Sequence, residues 1–416
     1  MPTYFTDFDF SDTLLDAIHY MNFKEATEIQ EKAIPHILEG KDLIGCAQTG
    51  TGKTAAFVLP TLQLLCDEDN SGVQVLILCP TRELAVQIDR QVQGLAYFTN
   101  HNCHSVYGGR DGVDWASEER ALKGGADIII ATPGRLLAHI DRGYCKFSGV
   151  RHLILDEADR MLDIGFFDDI VKIIGQLPKK RQSLMFSATM ADKIRKLANQ
   201  ILDNPLEVSV AVSKPAEGVT QEVYMAHEDQ KNRMVKHLLK DKDGFQAILV
   251  FCSTKKKVEQ LSRQLKRSNY NAEGISSDYA QKEREETLAG FRSGRTRILV
   301  ATDVMSRGID IKGIDLVINY DVPTDAEDYV HRIGRTARAK SKGMAITFVC
   351  QEDMYRFVRI EELIERQLDK KHPPEHIGNG PEWDASAKKS RYSSGGRGGR
   401  PQSGGGKGGS PRGNRR

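Results

Sequence analysis

Short apolar runs alternate with helix-patterned stretches along most of the 416 residues. Such runs, bounded by turn residues, read as strands buried on both faces. The pattern predicts strands at Asp42–Cys46, Val73–Cys79, Asp127–Ala131, Leu153–Leu155 and Ser183–Phe186. A second series follows at Ala247–Cys252, Arg297–Ala301, Leu316–Asn319 and Met344–Val349. Helical stretches fall between them, among them Lys53–Leu65, Arg82–Leu95 and Lys256–Lys266. Strands alternating with helices argue for parallel sheets of the α/β class. Pro215 and Gly218 punctuate the stretch between the two series. The expected organisation is therefore a first domain over 1–210, a linker at 211–220, a second domain over 221–368 and a disordered tail over 369–416.

Several classes drop out at this stage. No apolar run approaches the ~18 residues of a membrane-spanning helix. The opening MPTYFTDFDF has no basic stretch followed by an apolar core, so it does not read as a secretory signal. The seven cysteines are scattered and mostly sit in apolar, strand-like contexts. They read as buried, reduced thiols of a cytoplasmic protein with no membrane association.

Ala47–Thr54 reads AQTGTGKT, directly after one expected strand and before one expected helix. The phosphate-loop pattern GxxxxGK[ST] begins with glycine, and Ala47 stands in that place. Gly50 and Gly52 let the backbone curl so that its N–H groups, those of Gln48, Thr49 and Thr51 among them, face phosphate oxygens. The following helix adds its positive end. Lys53 would reach the β/γ-phosphates of a nucleotide and Thr54 would ligate Mg²⁺. Leu153–Asp159 reads LILDEAD, which places acids at the carboxyl end of a buried strand. There Asp156 would hold the metal through water, and Glu157 would act as general base on the attacking water. An acidic cluster after a strand is usually a solvated helix start. The phosphate loop turns the balance toward a nucleoside triphosphate site with ATP and Mg²⁺ as ligands.

With these motifs in place, the sequence resembles the DEAD-box RNA helicases over nearly all of residues 5–366. In style it is closest to the bacterial RhlE type. The tetrad Asp156-Glu157-Ala158-Asp159 is followed and preceded by the family's other motifs in order. They are PTRELA at Pro80–Ala85, Gly108-Gly109, TPGR at Thr132–Arg135, SAT at Ser187–Thr189, Gln281-x-x-Arg284, ATDVMSRGID at Ala301–Asp310 and HRIGRTAR at His331–Arg338. The resemblance implies two tandem RecA-like domains joined by a flexible linker. It also implies an RNA-stimulated ATPase that unwinds short RNA duplexes locally, without processive tracking.

The same resemblance assigns the remaining roles. Phe23 through Gln30 is similar to an adenine-reading Q motif, with Gln30 on the adenine edge and Phe5 stacking near the base. Thr27-x-x-Gln30 is also a helix capping box, so the two readings compete for one amide. Ala26 replaces the family's usual proline. Arg335 and Arg338 correspond to arginine fingers, Asp310 to a ribose contact, and Asp159, Ser187, Thr189 and His331 to groups coupling nucleotide state to closure. Ala337 replaces the usual glycine between the fingers. RNA contacts fall on Thr81, Arg82, Gly109, Thr132 and Arg135 in the first domain, and on Gln281, Arg284, Thr302 and Arg307 in the second. Ser276-Ser277 stands where the family commonly has His-Gly.

The formal charge of +2 hides an asymmetry. Residues 386–416 hold nine Lys/Arg, ten glycines and no acid, which leaves −7 for residues 1–385. A basic, glycine-rich end suits sequence-tolerant RNA anchoring. A solvated end with no role is the plain alternative. Two other functional classes stand beside the helicase. One is an ATP-gated RNA clamp serving an RNA-decay or ribosome-maturation complex. The other is a DNA translocase on the same scaffold, which the DEAD and HRIGRTAR forms disfavour.

Overall fold

The computed structural model describes residues 2–47, 50–66, 72–108, 113–210, 218–240, 244–276, 278–279, 281–303, 313–336 and 343–386. Two seven-stranded sheets, parallel throughout, form the two halves of the chain. The first contains β1 (Leu43–Cys46), β2 (Val75–Leu78), β3 (Cys103–Val106), β4 (Ile128–Ala131), β5 (His152–Leu155), β6 (Gln182–Ser187) and β7 (Leu206–Ser209). The second contains β8 (Val219–Met225), β9 (Ile248–Phe251), β10 (Ala272–Ile275), β11 (Ile298–Ala301), β12 (Leu316–Asn319), β13 (Gly343–Val349) and β14 (Lys370–Lys371). Their strand orders are β3-β4-β2-β5-β6-β1-β7 and β10-β11-β9-β12-β13-β8-β14. Adding seven to each label of the first order gives the second, so the halves repeat one topology.

Central strands such as Val75–Leu78, Ile128–Ala131 and Ile298–Ala301 are buried along their whole length. Helices cover both faces, which is why these strands are continuous apolar runs rather than alternating ones. The helix Lys53–Cys66 is buried on nearly all sides. It is therefore a rigid element inside the first domain, and its first residue is held at the carboxyl end of β1.

Five strands have no counterpart among the sequence expectations: β3, β7, β8, β10 and β14. β3 (CHSV) and β10 (AEGI) are polar or small, and β7 and β14 lie at sheet edges. β8 begins at Val219, inside the stretch expected to be linker.

The tail expectation needs correction over 369–386. Lys370–Lys371 pairs with β8, Ile377 is buried, and Gln230 Nε2 donates to the carbonyls of Gly378 (3.2 Å) and Asn379 (3.0 Å). Trp383 meets the Phe357 ring edge-on at 6.1 Å, with Lys370 over its face at 4.5 Å. Isolated apolar residues tie this strap down, and they carry no period. Residues 387–416 lie outside the described residues. The thiols are all free, as expected, but only Cys79, Cys252 and Cys350 are buried, and Cys66 is exposed. No described helix is long and apolar enough to cross a membrane.

Candidate active site

The phosphate loop follows β1 directly. Ala47 is buried and its N–H donates to the Ser187 carbonyl at 3.0 Å. Gly50 and Gly52 take φ of +87° and +92°, where a side chain would be strained. A Cβ on Gly52 would also collide with the Gln30 amide and come within 3.0 Å of Thr27 Oγ1. Gln48 and Thr49 lie outside the described residues. Lys53 opens the helix and is only 6% exposed, yet its Nζ has no hydrogen-bond partner. A buried ammonium without a partner is costly. The Asp156 carboxylate is close enough to attract it but makes no hydrogen bond to it, and nucleotide phosphates would supply those bonds.

Asp156 and Glu157 stand past the end of β5, and both are buried. Burial raises the Asp156 carboxyl to about 6, against the attraction of Lys53, which lowers it. Asp156 Oδ1 accepts the Glu157 N–H at 2.9 Å. Glu157 itself takes φ +50°, ψ +51°, a left-handed conformation unusual for a non-glycine residue and frequent at functional sites. Its Oε2 accepts no hydrogen bond, and Arg160 Nη1 stands 3.9 Å away. A carboxylate with an open lone pair suits a base that must take a proton from water. The carboxyl of Asp159 accepts the Ala188 N–H at 3.3 Å, and Ser187 Oγ accepts the Thr189 N–H at 3.3 Å. Asp159, after β5, is thus tied to the backbone of the Ser187–Thr189 segment at the end of β6.

Gln30 realises the capping box. Its Oε1 accepts the Thr27 N–H at 2.9 Å, and its Nε2 donates to the Gly52 carbonyl at 3.0 Å. The amide therefore ties a helix start to the phosphate loop. One N–H and one lone pair remain for an adenine edge. Phe5 is buried in the core and meets Phe23 edge-on at 6.0 Å.

The two domains face each other across a cavity of about 690 Å³. Cys46, Asp159 and Thr189 line it from the first domain; Asp325, Asp328 and His331 line it from the second. His331 belongs to the helix Ala326–Ile333, and Arg335, also buried, follows two residues after its end. Asp310 and Arg338 lie outside the described residues, as do Gly109 and Arg307 and the side chain of Gln281.

Among the RNA-track expectations, Thr81 caps the helix Arg82–Leu95, its Oγ1 accepting the Leu84 N–H at 3.3 Å. Arg82 is half-buried over the Tyr107 ring at 5.1 Å, and its Nε and Nη2 have no hydrogen-bond partner. Thr132 directly precedes the helix Pro133–Ile140, and Thr302 directly follows β11. Arg284 donates across the domain boundary to Glu83. Arg135 is doubly held by Glu118, through Nε at 2.8 Å and Nη2 at 2.7 Å, and lies over the Trp115 ring at 4.3 Å. Sequence reasoning singled out neither Glu118 nor Glu83. Glu83 sits inside the quoted PTRELA motif, whereas nothing in local spacing links Glu118 to Arg135.

Family models match both halves: the DEAD/DEAH box helicase model over residues 27–197 and the helicase conserved C-terminal domain model over 230–340. Fold and site together define a helicase built on tandem RecA-like domains. The ATP-dependent RNA helicase CshA of Listeria monocytogenes is 43% identical over 373 residues, covering 89% of this chain and 71% of that protein. CshA of Bacillus subtilis is 40% identical over 370 residues, covering 89% and 74%. The chain belongs to the DEAD-box ATP-dependent RNA helicases. The RhlE-like assignment gains no support from these relatives, which are CshA enzymes. Among solved structures, S. cerevisiae Dbp5 bound to RNA and ADP BeF3 superposes with a TM-score of 0.77 at 30% identity, covering 89% of this chain and 95% of that one. Mss116p bound to ssRNA and AMP-PNP does so with a TM-score of 0.78 at 30% identity, covering 91% and 81%.

Proposed function

We propose that this helicase couples ATP binding and cleft closure to local, non-processive opening of short RNA duplexes in the cytoplasm. The observation that carries the reading is the buried Lys53 ammonium with no hydrogen-bond partner, set opposite a carboxylate that burial raises to about 6. Both groups are poor in isolation and become favourable when a polyphosphate and its cation enter together. Thr54 and Asp156 would hold Mg²⁺, which supplies charge neutralisation on the phosphates. Lys53 binds the phosphates, and Glu157 takes the proton of the attacking water through its open Oε2. Arg335 and Arg338 serve as arginine fingers offered from the second domain. Asp310 contacts the ribose, while Gln30, Phe23 and Phe5 surround the base.

RNA runs over Thr81, Arg82, Gly109, Thr132 and Arg135, then over Gln281, Arg284, Thr302 and Arg307. Such contacts fix the strand through phosphate and sugar, without reading sequence. The 2′-hydroxyl separates RNA from DNA. ATP and single-stranded RNA each favour the closed state, so each tightens binding of the other. Asp159, Ser187, Thr189 and His331 relay nucleotide state through the cavity they line or adjoin. The basic tail anchors RNA by charge. The experiment is ATPase stimulation by RNA and by DNA of matched sequence, with multiple-turnover unwinding of a short duplex alongside. Equal stimulation by DNA would overturn the substrate assignment. Binding without multiple-turnover unwinding would replace the motor with a clamp.

A further inference from the structure

Because the sheets repeat one strand order, each position in the first domain has a topological counterpart in the second. β8 stands in the place of β1, and the helix after it, Lys231–Lys240, stands in the place of Lys53–Cys66. Both helices open on a lysine. β12 stands in the place of β5, with Asp321 just past its end as Asp156 is just past β5. The match extends to the next strand. β2 leads into Cys79-Pro80-Thr81 and β9 into Cys252-Ser253-Thr254, where each threonine Oγ1 accepts the N–H three residues on at 3.3 Å. Lys231 and Asp321 are therefore the second domain's equivalents of Lys53 and Asp156.

Their environments are opposite. Lys53 Nζ has no partner, whereas the fully buried Lys231 Nζ donates to Asp321 Oδ1 at 2.8 Å and pairs with Glu228 Oε2 at 2.7 Å. Glu228 comes from the loop before the helix and occupies with its carboxylate the role a phosphate would have. Asp321 accepts three further hydrogen bonds: from Lys257 Nζ at 2.7 Å, and from Ser253 N and Oγ at 2.8 Å each. The attraction of these groups outweighs burial, holding the Asp321 carboxyl well below the usual range and the Lys231 ammonium above its own. The position is sealed with internal charges.

The seal leads to the cleft. The backbone carbonyl of Asp321 accepts from Arg332 Nη1 at 2.7 Å, and the same nitrogen donates to Asn319 Oδ1 at 3.2 Å. The other edge of that guanidinium forks onto Asp303, with Nε at 2.5 Å and Nη2 at 2.6 Å. Arg332 lies between His331, which lines the interdomain cavity, and Arg335.

We infer that Lys231 and Asp321 are positioning residues for ATP hydrolysis. The sealed phosphate position is a fixed anchor that, through the Asp321 carbonyl and Arg332, sets the helix end presenting His331 and Arg335 to the nucleotide of the other domain. This rests on the reading of Arg335 as an arginine finger.

The test is steady-state RNA-stimulated ATPase of the full chain carrying Lys231→Met, Lys231→Arg, Lys257→Met or Arg335→Ala, with thermal melts of each. Lys231→Met should lower kcat at least tenfold while KM for ATP and for RNA stays within twofold, and Lys231→Arg should recover most of the loss. Lys257→Met withdraws the second, half-exposed cation and should give a smaller loss in kcat alone. It decides the question should Lys231→Met fail to fold. Unchanged kcat in the folded variants would overturn the anchor while leaving the finger intact. Unchanged kcat in Arg335→Ala would instead overturn the finger reading.

Discussion

Asp156→Asn should stabilise the nucleotide-free protein while destroying its ATPase activity. Burial raises the Asp156 carboxyl from an ordinary 3.8 to about 6, so the folded state holds this proton more tightly than the unfolded chain does. For an acid raised on folding, stability is fully present below the unfolded value and is lost as pH rises through the folded one. That rise corresponds to a loss of up to about 3 kcal/mol above pH 6, and roughly half of it is already lost at pH 5. Asparagine has no charge to bury and can still accept the Glu157 N–H. Urea unfolding of parent and variant at pH 5 and pH 8, without nucleotide, measures the difference. The variant's advantage should roughly double across that interval, to about 3 kcal/mol at pH 8. Adding Mg-ATP should stabilise the parent alone, by mass action. A variant no more stable than the parent at pH 8, or a gap equal at both pH values, would refute the argument that site desolvation weakens the empty enzyme.

Glu157→Gln should keep ATP and RNA affinity and lose about 10²–10⁴-fold in turnover; unchanged hydrolysis would remove Glu157 from the base role. Gly52→Ala should weaken ATP binding at least tenfold in a nucleotide titration, because φ of +92° strains any side chain and the new methyl strikes the Gln30 amide. Glu118→Gln should lower RNA affinity with ATP affinity unchanged, since it loosens the two-point grip on Arg135. Deleting residues 386–416 should weaken RNA binding and flatten its logarithmic salt dependence by about 3–4, the slope expected for ~4–6 phosphates released from a single strand.

Local chemistry was readable from sequence wherever a chain segment carries its own instructions. The phosphate loop is one such segment, since its glycines, its lysine and the strand before it are contiguous. The acids after β5 are another, because an apolar strand followed directly by carboxylates can only place them at its carboxyl end. Central strands such as Val75–Leu78 were visible because burial on both faces forces an unbroken apolar run. The misses have a common cause in long-range partners. Ala272–Ile275 is a strand because Ile298–Ala301 lies beside it, not because AEGI prefers to be one. The strap at 369–386 is held by Gln230, Phe357 and β8, all distant in sequence. The Arg135–Glu118 pair joins two helices with no shared period, so its geometry could emerge only on folding.

The two lysine–aspartate pairs show how one topology is divided between work and support. Both sit where a strand end, a helix start and a neighbouring strand converge, a geometry suited to concentrated charge. In the second domain that charge is satisfied within the chain, so the position is stable and has nothing left to offer a ligand. In the first, the lysine is unsatisfied and the aspartate is pushed toward its neutral form. The empty first domain is therefore less stable than its fold permits, and that deficit is what a bound nucleotide relieves. Active sites commonly trade stability for function in this way. Here the comparison is internal, between two copies of one topology in one chain. Converting the first site toward the second should stabilise it and silence it, while loosening the second should leave nucleotide affinity in place and degrade only the timing of hydrolysis. Asp156→Asn and Lys231→Met are those two experiments: both lower turnover, but only Asp156→Asn should gain stability and lose stabilisation by Mg-ATP, which separates the division of labour from general damage to either domain.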